Sequence, residues 1–303
     1  MFIPMKLSSV CELEWQDVFR DPRAGSFVFA ALAAFLGELG VPSEGVADAA
    51  NRIVSFAHDS ADETEYEAAV HDLLDRVGDA GHRIGALEAR AKQIFGQVRP
   101  HLLPGKTLDF GCGDGRIGER IHDERGEASL LDVYRHDRIE FLATKGMKFI
   151  AAGQRGRLPI DDGAFDNLLV CTVYHHAEEP EYTLKETARI TRRGGRVVVV
   201  ESVHGAGNFD DRNCEKSLTA DFIRLTVQNQ FLANSFFDHL FNRCLFFSPT
   251  PSEKINVPYH YHRMYDWPGV FKAVGLRVVD MTPLGVDHRI APLFHCLYVL
   301  ERE

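Results

Sequence analysis

The chain has 303 residues, of which 45% are hydrophobic, and 34 Lys and Arg against 44 Asp and Glu give a formal net charge of −10. This length supports a large core with more than one structural unit, and the acidic balance excludes a broad phosphate-binding surface, because unspecific nucleic-acid affinity rests on clustered Lys and Arg. Cys11, Cys112, Cys171, Cys214, Cys244 and Cys296 are scattered without a C-x-x-C pair, which excludes a local zinc or redox motif and reads as reduced thiols.

The N-terminal stretch carries no apolar core of the signal-peptide kind, so a cytoplasmic protein is expected. Residues 24–36 are the most apolar run, too short for a bilayer and followed by Glu38, so no membrane association is expected and the run reads as a buried helix. Within it, Val28, Leu32, Phe35, Leu36 and Leu39 recur at helical spacing until Gly40-Val41-Pro42 stops the pattern. A second helix is predicted over 46–58. Tyr66, Val70, Leu73, Leu74 and Val77 mark a third, and Ile84, Leu87, Ala91, Ile94, Phe95 and Val98 a fourth, ended by Pro100. Residues 1–99 are therefore expected to form an all-helical domain, whose apolar faces offer a surface for a homodimer.

After Pro104-Gly105 the pattern changes to short apolar runs alternating with helical ones, as in a parallel sheet covered by helices. Strands are predicted at 106–110, 128–133, 147–151, 166–172 and 195–201. Two further runs, 276–281 and 294–300, read as an antiparallel pair at the sheet edge. Between the fifth predicted strand and this pair, residues 203–265 exceed what a minimal fold requires. Phe222, Phe231, Phe236, Phe237, Phe241, Phe246 and Phe247 in that stretch suit either a self-packed helical insertion or a lining for substrate.

The most informative segment is residues 107–118, Thr-Leu-Asp-Phe-Gly-Cys-Gly-Asp-Gly-Arg-Ile-Gly. Gly111, Gly113 and Gly115 let the backbone turn sharply and approach a ligand closely. The helix that starts at Arg116 aims free N–H groups at the same place. Gly113, Gly115 and Gly118 satisfy the dinucleotide spacing G-x-G-x-x-G, yet Asp109 and Gly111 lie ahead of them and add a carboxylate that the dinucleotide pattern does not ask for. This Asp-x-Gly-x-Gly-x-Gly run resembles the first motif of the class I S-adenosylmethionine-dependent methyltransferases.

That resemblance covers residues 100–303 and implies an α/β fold, a Rossmann-like seven-stranded sheet with helices on both faces, here with an N-terminal helical domain and a helical cover at about 203–265. It implies S-adenosylmethionine as cofactor. Asp109, Gly111, Gly113 and Gly115 would meet its methionine end. Asp132, closing the second strand, would accept the ribose hydroxyls, a role it would serve equally well for a nicotinamide dinucleotide. Residues 153–160 resemble the loop that contacts adenine in small-molecule methyltransferases, with Gln154 where an acidic residue is usual and Arg155 beside it; a glutamine carbonyl also accepts an amino hydrogen. Asp161-Asp162-Gly163 reads as a solvated turn.

Residues 171–180 resemble the family's His-rich segment after the fourth strand. His175 and His176 either orient the acceptor or act as a general base, since imidazole titrates near neutral pH. Glu201 and His204 lie at the end of the fifth strand and serve equally well as capping or core residues. His260 and His262 suggest a metal pair, but no third ligand has suitable spacing, and no metal is expected. Val257-Pro258, Trp267 and Gly275-Leu276 follow the order found in small-molecule methyltransferases. The expected activity is methyl transfer to a small-molecule acceptor in secondary metabolism. An inactive cofactor-binding partner subunit and a nicotinamide-dependent oxidoreductase are the rival readings.

Overall fold

The computed structural model describes residues 15–153, 157–207, 217–250, 254–287 and 291–303. Four helices come first, α1 (Pro22–Glu38), α2 (Ser43–Asp59), α3 (Glu63–Val77) and α4 (Ala80–Val98). Acidic caps set three of their starts. Asp21 accepts from the N–H groups of Arg23 at 2.8 Å and Ala24 at 3.2 Å, with Pro22 supplying a fixed helical φ. Asp62 and Asp79 accept from Glu65 and His82 in the same way, each at 2.9 Å. The predicted stripe of α1 is buried throughout, but that of α4 begins late. Ile84 is 56% exposed and the buried face starts at Ala86; the first turn meets the end of α1 through His82, which lies against Gly40, and not through Ile84.

Seven strands follow: β1 (Thr107–Phe110), β2 (Ala128–Asp132), β3 (Lys148–Ala151), β4 (Phe165–Cys171), β5 (Thr191–Ser202), β6 (Leu276–Asp287) and β7 (Leu293–Arg302). Their spatial order is β3-β2-β1-β4-β5-β7-β6, with β1 to β5 parallel and β7 antiparallel to both neighbours. Helices α5 (Arg116–Arg125), α6 (Arg138–Thr144), α7 (Pro180–Ile190) and α10 (Trp267–Ala273) complete this Rossmann-like unit. β4 is buried on both faces, Leu168 and Val170 in one core and Leu169 and Cys171 in the other, which is why its sequence is a continuous apolar run. β6 reaches Asp287 rather than ending near residue 281. Irregular pairing at Val278/Asp280 and Pro283/Gly285 absorbs the proline and glycine, which an edge strand tolerates.

Because the chain places β2 and β3 on one side of β1 and then returns to place β4 on the other, the carboxyl ends of β1 and β4 flank a crevice. The long insertion contributes α8 (Leu218–Ile223) and α9 (Val227–His239), and a π-helical turn, Leu240–Leu245, continues α9. α9 is buried almost all round, so its polar residues must find partners. Asn229 donates to Asp21 of the N-terminal region at 2.9 Å, and Asn234 donates to the Val203 carbonyl after β5 at 2.8 Å. Trp15 packs against Tyr66, Phe236 and His239. One continuous apolar core thereby runs from α1, α2 and α3 through α9 to one face of the sheet, and it takes in Phe222, Phe236 and Phe237. Among the described residues, no helix is long and apolar enough to cross a membrane.

A buried ion cluster ties α3 to the same insertion. Glu67 is fully buried and accepts from Arg243 at 2.7 Å and from Lys254, with His239 Nε2 at 3.3 Å. Burial alone would raise its carboxyl, but these three donors hold it down at about 2.

Candidate functional site

The glycine loop leaves β1 with all three predicted glycines at positive φ, +74° at Gly111, +52° at Gly113 and +75° at Gly115. Their surroundings differ. A Cβ on Gly111 would come within 2.3 Å of a Val173 methyl, and one on Gly115 within 2.5 Å of a Leu142 methyl, so both glycines allow close packing inside the fold. A Cβ on Gly113 would meet nothing within 4 Å, so the loop presents open space at that residue, the cradle that a nucleoside ligand requires.

Carboxylates fix the loop from behind. Asp109 is buried and accepts from the Gly118 N–H of α5 at 2.8 Å. Burial pushes its carboxyl up to about 7, against the pull of that N–H. Asp132 accepts from Gly113 N–H at 2.8 Å and Tyr134 N–H at 3.0 Å, and burial raises its carboxyl as well. Its two oxygens retain further lone pairs, and Val133 beside it is 50% exposed, an apolar surface next to an acceptor. Asp109, Gly111, Gly113, Gly115 and Asp132 are thus brought together at the carboxyl ends of β1 and β2. Gln154 and Arg155 lie outside the described residues.

At the end of β4, Thr172 adopts φ +54°, a strained conformation for a β-branched residue. Its N–H donates to the Val200 carbonyl at 2.7 Å, and the turn carries His175 and His176 over the end of β5. Glu201 of β5 accepts from the N–H groups of Val173 at 2.9 Å and Tyr174 at 2.7 Å, and its other oxygen lies 2.5 Å from His175 Nδ1. His175 is fully buried. Burial would lower its pKa, but the Glu201 carboxylate and Asp238 beyond it raise it to about 10. The two carboxylates therefore call for positive charge beside the His175 ring, whereas His176, with 21% of its side chain exposed, reaches the surface.

Asp238 is the residue that sequence reasoning missed. It lies on α9 and is buried, with Tyr261 Oη donating to Oδ2 at 2.7 Å and Asn242 Nδ2 to Oδ1 at 2.8 Å. His176 Nε2 lies 3.4 Å from Oδ1, and the histidines hold its carboxyl well below the usual range against burial. The only sequence signal was a charged residue inside a helix otherwise rich in phenylalanine. His260 and His262 do not share a partner: the former lies 3.2 Å from the Ala177 carbonyl, while the latter packs edge-on against Trp267. His204 is kept neutral by burial and by the Arg263 charge, with its pKa down at about 4.

Residues 108–199 match the family described as Methyltransferase domain. Among curated proteins, the chain is 28% identical over 102 residues to an uncharacterized protein of Methanocaldococcus jannaschii, 34% of this chain and 47% of that one. It is 23% identical over 134 residues to a demethylmenaquinone methyltransferase of Thermotoga maritima, covering 43% and 56% of the two chains. It spans about half the length of the curated relatives it matches. Among solved structures, a 1,6-didemethyltoxoflavin-N1-methyltransferase of Burkholderia thailandensis, with bound 1,6-didemethyltoxoflavin and S-adenosylhomocysteine, aligns with TM-score 0.47 at 15% identity over 73% of this chain and 82% of that one. A possible histamine N-methyltransferase of Thermotoga maritima aligns with TM-score 0.48 at 15% identity, over 74% and 95%.

Proposed function

We propose that this chain, which carries a class I S-adenosylmethionine-dependent methyltransferase domain over residues 108–199, transfers a methyl group to a small-molecule acceptor. The observation that carries the reading is Gly113, whose open Cα face stands beside Asp132, the acceptor that ends β2. S-adenosylmethionine, when bound, supplies a methyl carbon activated by its sulfonium, so the protein's part is to align the acceptor and exclude water. Asp109 and the glycines would hold the methionine end, Asp132 the ribose diol, and Gln154 with Arg155 the adenine. The exposed Val133 would give the adenine an apolar face. His175 and His176 would orient the acceptor, with Glu201 fixing the first of them.

The proposed arrangement has residues 1–99 as a helical domain that, with 203–265, covers the acceptor site of a 100–303 domain. Phe222, Phe236 and Phe237 are taken up by the core, so the aromatic that supports a ring-bearing acceptor of the secondary-metabolite kind is the partly buried Phe231, whose ring packs on Tyr261 beside His175. Free Cys112, Cys171, Cys244 and Cys296 fit a reducing, cytoplasmic setting.

Calorimetric titration with S-adenosylmethionine, S-adenosylhomocysteine and NADH tests the cofactor. The two sulfur ligands should bind and NADH should not; binding of NADH alone would sink the reading, and binding of none, with or without acceptor present, would remove S-adenosylmethionine as the cofactor. Asp132→Ala should weaken S-adenosylhomocysteine by about ten- to a hundredfold, the range expected for hydrogen bonds to a charged group. The melting temperature serves as the control for folding. Unchanged affinity would remove Asp132 from the ribose role.

A further inference from the structure

His175 and His176 each have one ring nitrogen committed. His175 Nδ1 faces a Glu201 oxygen at 2.5 Å, and His176 Nδ1 faces the Asn256 carbonyl at 2.9 Å. A carbonyl accepts and cannot donate, and an ionised carboxylate behaves likewise, so both Nδ1 atoms carry the proton. In the neutral rings both Nε2 atoms are then bare lone pairs. They converge on a third acceptor, Asp238 Oδ1, at 3.8 Å from His175 and 3.4 Å from His176. All three atoms lie within 4.8 Å of one another, and His175 Nε2 is buried without a hydrogen-bond partner.

Three lone pairs facing one another in a buried space repel unless something positive lies between them. A proton on His175 Nε2 serves poorly, since 3.8 Å exceeds hydrogen-bond reach. We propose that His175 Nε2, His176 Nε2 and Asp238 Oδ1 bind a divalent transition-metal ion of the zinc or ferrous type, which favours imidazole and carboxylate together. Ligands about 2.1 Å from a tetrahedral ion stand roughly 3.4 Å apart; the His176–Asp238 pair already has that spacing at 3.4 Å, His175 at 3.8 Å must close on Asp238, and the two histidines, within 4.8 Å of each other, must close as well. The surrounding partners suit the role. Glu201 and the Asn256 carbonyl fix the two tautomers, and Tyr261 and Asn242 orient the Asp238 carboxylate. The dication also balances the two buried carboxylates, Glu201 and Asp238.

Three protein ligands leave a coordination position for an acceptor bearing a hydroxyl or carbonyl oxygen. This last point rests on the methyl-transfer reading; the metal site itself does not.

The test is titration of the metal-stripped full-length protein with Co2+, followed by its visible d–d absorption, with S-adenosylhomocysteine calorimetry on the same samples. One equivalent of Co2+ should bind to the wild type. His176→Gln, at a partly exposed position that spares the fold, and Asp238→Asn should each lower Co2+ affinity at least a hundredfold, while His262→Gln should leave it unchanged. Absence of one-equivalent binding, or its persistence in both ligand variants, overturns the site. Co2+ binding without S-adenosylhomocysteine binding would keep the metal and remove the methyl-transfer reading, and the reverse result would do the opposite.

Discussion

Glu67→Ala is expected to cost about 3–5 kcal/mol of stability, the range for removing one partner from a buried ion pair. The carboxylate stands fully buried on α3 and receives Arg243, Lys254 and His239 from the insertion. Deleting it leaves those donors facing one another with nothing between them. A chain of this size should lose roughly 5–8 °C in melting temperature. Glu67→Gln, which keeps the volume and one acceptor oxygen, should recover part of that loss. The effect also has a sign in pH. The folded carboxyl is depressed to about 2 from its ordinary value of 4.5, so its stabilisation is present above the unfolded value and is lost as pH falls from there toward 2. The gap in stability between wild type and Glu67→Gln should stay level above pH ~5 and narrow below ~4.5. A gap that widens on acidification would contradict the ion cluster as drawn.

Gly111→Ala and Gly113→Ala should fail in different ways, although they sit two residues apart with similar backbone. At Gly111 the added methyl carries the left-handed penalty of about 1–2 kcal/mol and also runs into Val173 at 2.3 Å, an overpacking of about 1–3 kcal/mol. The sum, roughly 2–5 kcal/mol, should appear in urea or thermal unfolding of the protein without ligand. At Gly113 only the backbone penalty applies, because the methyl enters open space. That variant should stay folded and lose at least tenfold in S-adenosylhomocysteine affinity, since the methyl then occupies the side from which ligand approaches. Wild-type affinity in Gly113→Ala would mean that the open face is not the cofactor cradle.

Much of this molecule could be read from local pattern. The apolar stripes of α1 and α3, the continuous apolar runs of β4 and β5, and the Asp109 to Gly118 loop all follow from backbone geometry acting over a few residues. Period, glycine placement and strand-end acidity are local quantities, so they survive without the rest of the chain. The exposure of Ile84 in the α4 stripe and the end of β6 depart from the local pattern for a related reason. Whether Ile84 is covered, and whether Pro283 can stay in a strand, depends on what lies alongside rather than on the residues themselves.

By itself, then, the sequence determined the alternating α/β core, the sheet-edge hairpin and the glycine loop with Asp109 and Asp132, since each is written in neighbouring residues. Only the tertiary structure decided what faces His175 and His176. Glu201 reaches them across two parallel strands, and Asp238 arrives on a helix from the insertion that also carries the Glu67 cluster. No spacing rule links those positions, because their meeting depends on how α9 is buried between the N-terminal helices and the sheet. That burial is also what gives the convergence its chemistry: bare nitrogens and carboxylates removed from water interact far more strongly than the same groups at a surface.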